Sequence, residues 1–334
     1  MKIGMMSAWN TDSGTAIHAE AIGRAWRAAG HELTVFSHVR GDFHGTGFTA
    51  EDEDYVVRCF GTQKTGLLDE KKILSPQFDL FVIQDLRMLP QEKLRRILPE
   101  IRARSKTVNV LYENRMPEEK WFFEGEWSRA VYFDRRQEFF RKVWRNAEYI
   151  PFPCYPVREG KKDEARKRLS LPENKKIIYL FCQRGYAPFI AALPEKLRKK
   201  CVLLIVAQKG KSVKCGFEVI YREEEVLAQK RFDDYLFASD VVILHKTARC
   251  ELAVVSSTAF QALGTLCPIM APAESGFFVP FGDEVIKYSD KHDLEKKLTE
   301  LVENPDCLAK NRAAVKSLAE KYSPERTASM FLNL

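Results

Sequence analysis

The 334-residue sequence lacks any apolar run that approaches the roughly 18 residues needed for a membrane-spanning helix. The apolar part of its opening stretch, MKIGMMSAWN, is too short for a secretory signal peptide. No two cysteines form a CxxC pair, and no cysteine–histidine spacing resembles a zinc finger. We therefore expect neither a membrane span nor a bound metal.

The eight cysteines are scattered along the chain. Cys182, Cys201 and Cys267 lie in or beside apolar runs, where a free cysteine acts as a small hydrophobe. This usage is typical of a reducing compartment, and we expect a cytoplasmic protein.

Dense basic blocks are also absent, and the net charge of +7 is spread along the chain. This distribution argues against nucleic acid as a partner. A moderate positive charge does suit an anionic small molecule.

What the sequence does contain is a regular alternation of short apolar runs with helix-like stretches. Runs such as IIYLF and VLLIVA lack polar alternation, which is typical of strands covered on both faces. The predicted strands are Lys2–Ser7, Glu32–Ser37, Tyr55–Phe60, Leu80–Gln84, Thr107–Tyr112, Lys176–Cys182, Val202–Ala207, Phe217–Tyr221, Val241–His245, Pro268–Ala271 and Glu284–Tyr288. Strands interleaved with helices predict an α/β protein with two doubly wound parallel sheets.

A proline-rich segment separates the two halves. Pro151, Pro153 and Pro156 form a stiff stretch that cannot pair within a sheet. A last helix is predicted to begin at Pro324, because proline suits the first helical position. We predict one domain over residues 1–152, a second over 153–320, and a terminal helix within 321–334.

Ligands of such domains bind beyond the carboxyl ends of the strands, so the loops there carry the candidate sites. The turn Asn10–Gly14 follows the first strand and leads into a helix from about Thr15. A glycine before a helix can let the backbone approach a ligand, although a tight turn explains it equally well. His18, one turn into the helix, could face that ligand or be an ordinary surface or core histidine.

Three hydroxyl residues, Ser256, Ser257 and Thr258, precede a short apolar helix in the second half. One side-chain oxygen is enough to cap a helix. Three hydroxyls at the positive end of a helix could also hold a phosphate. A capped helix beneath a buried strand is the alternative.

Two longer stretches resemble a known family. SGTAIHAEAIGRAWRAAGHELTVF is similar to the opening of GT-B glycosyltransferases, above all family 4, whose pattern is close to GGxxxHxxxLAxxLxxxGHEVTV. The matching residues are Gly14, His18, Gly30, His31, Glu32, Thr34 and Val35, with Ser13 in place of the first glycine. STAFQALGTLCPIMAP resembles the donor-contacting unit of the second domain, and the segment from Gly276 to Leu332 resembles the family's ending. The resemblance implies two Rossmann-like domains facing across a cleft, with the final helix crossing back to the first.

In the second domain, the resemblance implies that Ser257 and Thr258, together with Ser256, bind the donor diphosphate. Gln261 would occupy the ribose-binding position, where the family has a glutamate.

The resemblance also implies groups that act on the leaving nucleotide. Arg184 would neutralise its charge, and Lys209 or Lys211 would replace a family lysine that has no counterpart here. Glu251 is the candidate for the catalytic glutamate on the donor sugar, although it lies nine rather than seven intervening residues before Gln261.

In the first domain, the resemblance places Gly14, Thr15 and His18 beside the sugar, with His18 as a second catalytic candidate. Glu113 follows the Thr107–Tyr112 strand and would contact a sugar hydroxyl or the acceptor. Asp85 also ends a strand, where it could line the cleft or cap a turn.

The stretch from Trp121 to Trp144 is rich in aromatic residues. Such residues could stack on a sugar or rest at a lipid surface, which would allow peripheral membrane association. Buried helix faces explain the same pattern.

Together these features predict transfer of a sugar from a UDP- or GDP-linked donor to a hydroxyl acceptor, with retention of configuration and without metal or further cofactor. The departures at Gln261, Glu251 and the missing lysine leave a catalytically inactive nucleotide-sugar-binding relative as an alternative. A nucleotide-sugar epimerase of the same fold is a second alternative, which would require clustered carboxylates and histidines.

Overall fold

The apolar runs of the sequence form two parallel β-sheets, each in a unit of its own. The computed structural model describes residues 1–116, 118, 126–182, 195–207, 217–250 and 254–334. Met1–Pro153 and Tyr322–Leu334 form the first unit, and Cys154–Lys321 form the second. Among the described residues, none of the helices combines the length and the apolarity needed to cross a bilayer.

Within its described residues, the first unit contains a seven-stranded sheet whose neighbouring strands are all parallel. Its strands are β1 (Lys2–Met6), β2 (Glu32–His38), β3 (Val56–Phe60), β4 (Leu80–Gln84), β5 (Lys106–Val110), β6 (Arg129–Tyr132) and β7 (Ala147–Tyr149). The spatial order is β3-β2-β1-β4-β5-β6-β7. It reverses between β1 and β4, and a doubly wound sheet offers its ligand crevice at such a reversal.

The described part of the second unit contains a six-stranded parallel sheet in the order β10-β9-β8-β11-β12-β13. Its strands are β8 (Lys176–Cys182), β9 (Cys201–Ala207), β10 (Glu218–Glu223), β11 (Val241–Ile243), β12 (Ile269–Pro272) and β13 (Ile286–Tyr288). All seven residues of β9 are buried, as its unbroken apolar run predicts.

Helices connect and flank the strands. In the described part of the chain they are α1 (Gly14–Ala28), α2 (Glu70–Leu74), α3 (Gln91–Arg104), α4 (Lys162–Leu169), α5 (Glu195–Arg198), α6 (Gln229–Ala238), α7 (Ser257–Leu263), α8 (Lys291–Glu303), α9 (Ala309–Lys321) and α10 (Pro324–Leu332). Two parallel sheets with flanking helices confirm the predicted α/β class.

The final helix, α10, begins at Pro324 and packs on α1 within the first unit. The indole N–H of Trp26 donates to the carbonyl of Ala328 at 2.9 Å. The ring of Phe331 lies 5.9 Å from that of Trp26, centroid to centroid. A buried indole therefore has its hydrogen-bond partner on a helix that follows it by about 300 residues.

Strands β6 and β7 are not predicted from the sequence. They contain four and three residues, too few for an apolar run or an alternation to stand out. Each carries a charged residue, and Nε of Arg129 donates to Glu148 across the pair at 3.1 Å. Pairing with β5, rather than local composition, makes this segment a strand.

We expect Gly4→Ala to lower the free energy of unfolding of the first unit by about 2 kcal/mol, within the usual cost of overpacking a core. A Cβ on Gly4 would lie 2.6 Å from Cδ2 of Phe81 and 2.9 Å from Cδ2 of Phe78. All five tryptophans precede residue 154, so urea unfolding followed by tryptophan fluorescence reports on this unit. Gly41→Ala is the matched control, because a Cβ there meets no described atom within 4 Å. Equal midpoints for the two variants would contradict this packing.

Candidate functional site

The loop between β1 and α1 carries the first group of predicted site residues. Ser13 caps α1, and its Oγ accepts the N–H of Ala16 at 3.1 Å. Gly14 and Thr15 are the first two residues of the helix, the former half-buried and the latter buried. Both therefore lie at the positive end of the α1 dipole.

Thr15 is joined to Asp85 across the reversal point of the sheet. The hydroxyl of Thr15 donates to Oδ2 of Asp85 at 3.0 Å. Asp85 directly follows β4 with φ of 54°, a left-handed conformation uncommon for a non-glycine residue. In the described structure its side chain makes no capping bond to the 3₁₀ segment Leu86–Met88. Burial raises the pKa of Asp85.

His18 belongs to a buried hydrogen-bonded cluster with Gln84 and Tyr112. Nδ1 of His18 lies 3.1 Å from Oε1 of Gln84 and 2.7 Å from the Tyr112 hydroxyl. That hydroxyl donates to the same Gln84 oxygen at 2.7 Å. A carbonyl oxygen can only accept, so we assign the imidazole proton to Nδ1.

The His18 ring is surrounded by aromatic rings and is only 1% exposed. Its centroid lies 4.8 Å from that of Phe152 and 5.3 Å from that of Phe133. Burial lowers the pKa of His18 to about 4, so the ring is neutral at pH 7. Nε2 is buried without a hydrogen-bond partner among the described residues, and in this tautomer it is an acceptor. The catalytic role of His18 stays a prediction.

Glu113 lies just beyond β5 and is also buried. Its Oε2 accepts the backbone N–H of Tyr112 at 3.1 Å, whereas Oε1 has no hydrogen-bond partner in the described part of the chain. The backbone here is held by Gln137, whose side-chain amide donates to the carbonyls of Leu111 and Glu113, each at 2.9 Å.

Burial, followed by the neighbouring charge of Asp85, raises the pKa of Glu113 to about 8. The side chain is therefore mostly a neutral carboxylic acid at pH 7, able to donate a hydrogen bond as well as accept one. The ends of β4 and β5 thus bring together Asp85, whose pKa is raised by burial, a mostly neutral Glu113 and a neutral imidazole.

The second group of predicted residues lies at the start of α7. Ser256 is fully buried and caps the helix, and its Oγ accepts the N–H of Ala259 at 3.3 Å. Its own N–H donates to the carbonyl of Phe277 at 3.1 Å. Ser257 and Thr258, the first two residues of α7, are half-buried. The hydroxyls of this turn that can meet a ligand directly are therefore those of Ser257 and Thr258.

Gln261 is positioned by a chain of polar side chains in the second unit. Its Nε2 donates to Oε1 of Gln229 at 2.8 Å. The amide of Gln229 donates in turn to Oδ1 of Asp233 at 2.7 Å. Arg158 closes the chain, since one guanidinium nitrogen donates to Asp233 and to the backbone carbonyl of Gln261, each at 2.8 Å. The orientation of Gln261 therefore depends on Gln229, a residue that no motif of the sequence indicates.

Four predicted residues, Arg184, Lys209, Lys211 and Glu251, lie outside the described residues. Within the aromatic stretch, the described side chains of Trp127, Phe133, Phe140 and Trp144 are all buried. Three of them, Trp127, Phe140 and Trp144, belong to the hydrophobic core of the first unit. These side chains are buried, as that alternative predicted, but only Phe140 lies on a helical segment, the 3₁₀ helix Arg135–Lys142.

Several solved structures share the fold of this chain over its whole length. Sucrose-phosphate synthase from Thermosynechococcus elongatus matches with a TM-score of 0.65 and 13% identity, over 100% of this chain and 98% of that one. An Anabaena protein, HepE, in complex with UDP-glucose matches with a TM-score of 0.63 and 12% identity, over the same shares of the two chains. An α-glucosyltransferase in complex with UDP and a DNA 13-mer containing an HMU base matches with a TM-score of 0.65 and 9% identity, again over 100% and 98%.

No protein-family model matches the chain. At these identities the structural matches show the fold alone, the GT-B fold of two parallel-sheet units.

Proposed function

We propose that this protein is a glycosyltransferase that moves a sugar from a UDP- or GDP-linked donor to a hydroxyl acceptor. The observation that carries this proposal is the full-length likeness to an α-glucosyltransferase solved with UDP and to a protein solved with UDP-glucose. The motif resemblance adds the finer parts of the proposal: membership of family 4, retention of configuration, and independence from metal and from any cofactor besides the donor.

The second unit is proposed to bind the donor nucleotide. Ser257 and Thr258 would donate to the diphosphate at the positive end of α7, and Gln261 would contact the ribose. By resemblance, Arg184 and Lys209 would neutralise the departing nucleoside diphosphate, and Glu251 would support departure of the sugar.

The first unit is proposed to bind the sugar and the acceptor. Its buried groups suit hydroxyls better than phosphates, because the Asp85 carboxylate would repel an anion when ionised. Neutral Glu113 can donate to a hydroxyl oxygen, and the unpartnered Nε2 of His18 can accept a hydroxyl proton. Gly14 and Thr15 would bring the first turn of α1 close to the same ligand.

Measurement of free nucleotide tests the proposal directly. The protein is incubated with UDP-, GDP- and ADP-glucose, and thermal unfolding is followed with UDP, GDP and ADP. We expect one nucleotide to raise the midpoint and its sugar conjugate to be consumed. A raised midpoint without turnover would favour the inactive binding protein, and no response to any nucleotide would contradict the proposal in both forms.

A panel of acceptors extends the same assay. The acceptors are simple sugars, lipid vesicles and hydroxymethylated DNA, the last because one structural neighbour was solved with DNA. From the sequence we expect no nucleic-acid acceptor, and transfer to the DNA would overturn that prediction. Peripheral membrane association would show as vesicle binding. A cytoplasmic location stays part of the proposal, supported by the cysteine usage.

A further inference from the structure

A single peptide group in the β1–α1 loop is held at both of its polar atoms. The carbonyl oxygen of Trp9 accepts a hydrogen bond from Nη2 of Arg58, on β3, at 3.0 Å. The N–H of Asn10 donates to Oε1 of Glu20, on α1, at 2.8 Å. These two atoms belong to the same peptide plane, so the two side chains together fix its orientation. We call Glu20 and Arg58 the peptide clamp.

The peptide clamp fixes a backbone conformation at Asn10 that is unfavourable without stabilising contacts. Asn10 has φ of 52°, in the left-handed region that few residues other than glycine adopt. Its side chain donates to the carbonyl of Glu51 at 2.9 Å and to Oε2 of Glu53 at 3.0 Å. Strained backbone persists only where the surroundings hold it, and it is concentrated at functional sites.

The charged groups around Glu20 come from α1, from the segment before β3 and from β3 itself. On α1, Arg24 pairs with Glu20 at 3.1 Å. From the segment before β3, Glu53 pairs with Arg24 at 3.1 Å and also accepts the indole N–H of Trp9 at 2.9 Å. Arg58 is paired separately with Asp52. Tyr55, whose phenol interacts with both Arg24 and Glu53, completes the set.

The clamped peptide is connected to the first turn of α1. The hydroxyls of Thr11 and Ser13 lie 3.1 Å apart, and Ser13 caps the helix. Asp12 is held through its N–H by the carbonyl of Gly47 at 3.3 Å. A rotation of the Trp9–Asn10 peptide would therefore displace the residues that lead directly into Gly14 and Thr15.

We propose that Glu20 and Arg58 are positioning residues, which hold the Trp9–Asn10 peptide so that the start of α1 keeps the geometry required for sugar transfer. This inference rests on the proposed function for its catalytic consequence, but the clamp itself can be tested without any activity. Neither residue is placed in contact with the sugar or the donor.

The protonation state of Glu20 gives the clamp a pH dependence. Burial raises the pKa of Glu20 to about 7, against the opposing charge of Arg24. Above that pH the side chain is a carboxylate, which accepts the Asn10 N–H more strongly than the neutral acid does. The clamp therefore tightens as the pH rises through about 7 and loosens below it.

NMR of the ¹⁵N-labelled full-length protein tests the clamp. We expect the Asn10 amide and the Trp9 indole resonances to shift between pH 5 and pH 9 with a midpoint near 7. Glu20→Gln keeps the size and an acceptor oxygen but cannot ionise, so both shifts should disappear. Glu32→Gln, at an exposed position, is the matched control and should titrate as the wild type does. Identical titrations in the wild type and Glu20→Gln would overturn the clamp.

Kinetics with the donor that the nucleotide-release assay identifies test the positioning role. Glu20→Ala is expected to lower kcat by about tenfold while the KM for the donor stays within about twofold, because misplacing the sugar-side loop does not touch nucleotide binding. Glu20→Gln should lose the rise in kcat through pH 7. An unchanged kcat in Glu20→Ala would overturn the positioning role. The wild type could transfer no sugar while the pH-dependent NMR shifts are present in the wild type and absent in Glu20→Gln. That result would contradict the proposed function and support the peptide clamp.

Discussion

The first unit should lose stability as the pH rises from 5 to 9 because of Glu113. Replacing Glu113 with glutamine should abolish most of this loss. The folded protein holds the pKa of Glu113 at about 8, against an ordinary value of 4.5. Between these values the folded state keeps a proton that the unfolded chain has already released. Stability therefore falls as the pH rises through this window and levels off above the folded pKa.

The expected size of this effect is on the order of 4 kcal/mol, at about 1.4 kcal/mol per pKa unit. Glu20 contributes a fall of the same sign with its midpoint near 7, but it does so in both proteins. The difference in pH-dependent stability between the wild type and Glu113→Gln therefore gives the contribution of Glu113 alone.

Urea unfolding followed by tryptophan fluorescence at pH 5 and pH 9 measures this difference. Glu32→Gln serves as the control, because it removes an exposed carboxylate and should leave the pH dependence unchanged. If the free energies of unfolding of the wild type and Glu113→Gln change with pH in parallel, Glu113 is ionised at neutral pH, and its pKa is not raised by burial as we expect.

The same proton has a consequence for activity under the proposed function. Wild-type transfer should decline as the pH passes about 8, because ionised Glu113 can no longer donate to a sugar hydroxyl. Glu113→Gln keeps an N–H donor and should lose this decline.

The second large effect is expected at α7. The double variant Ser257→Ala/Thr258→Ala should weaken nucleotide binding by at least about a hundredfold, since each of the two hydrogen bonds to a charged group contributes about 1.5–3 kcal/mol. Titration calorimetry with UDP, or with the nucleotide identified by thermal shift, measures the change. Unchanged affinity would contradict the phosphate role of this turn.

Ser256→Ala is the matched control for that experiment. Its hydroxyl is buried and caps α7, so its loss should cost about 1 kcal/mol of stability. Nucleotide affinity should stay within about twofold of the wild type. A large loss of affinity in Ser256→Ala alone would mean that the intact cap, rather than the two hydroxyls beyond it, controls binding.

The sequence predicts the sheets well where strands are long and apolar. β4 occupies the predicted residues Leu80–Gln84, and β8 the predicted Lys176–Cys182, because strands buried on both faces need continuous apolar runs. β6 and β7 carry no such signal, since they are short and become strands through their neighbours. Local composition cannot report a pairing decided by tertiary structure.

The candidate site is predictable only in part for the same reason. The resemblance identifies His18, but not its partners Gln84 and Tyr112, which lie 66 and 94 residues further along the chain. The burial of Glu20 cannot be predicted from the sequence either, because a glutamate in an amphipathic helix is normally exposed. Only the folded loop shows that its carboxylate is buried against the Asn10 N–H.

The position of α10 sets an order of completion during synthesis on the ribosome. Domains commonly finish folding from the N-terminus onward as the chain emerges. Here the first unit cannot bury Trp26 fully until Ala328 and Phe331 have been translated, whereas the second unit is complete at Lys321. The first unit, whose synthesis starts first, therefore completes its fold last. Until α10 packs on it, an apolar face of α1 stays uncovered.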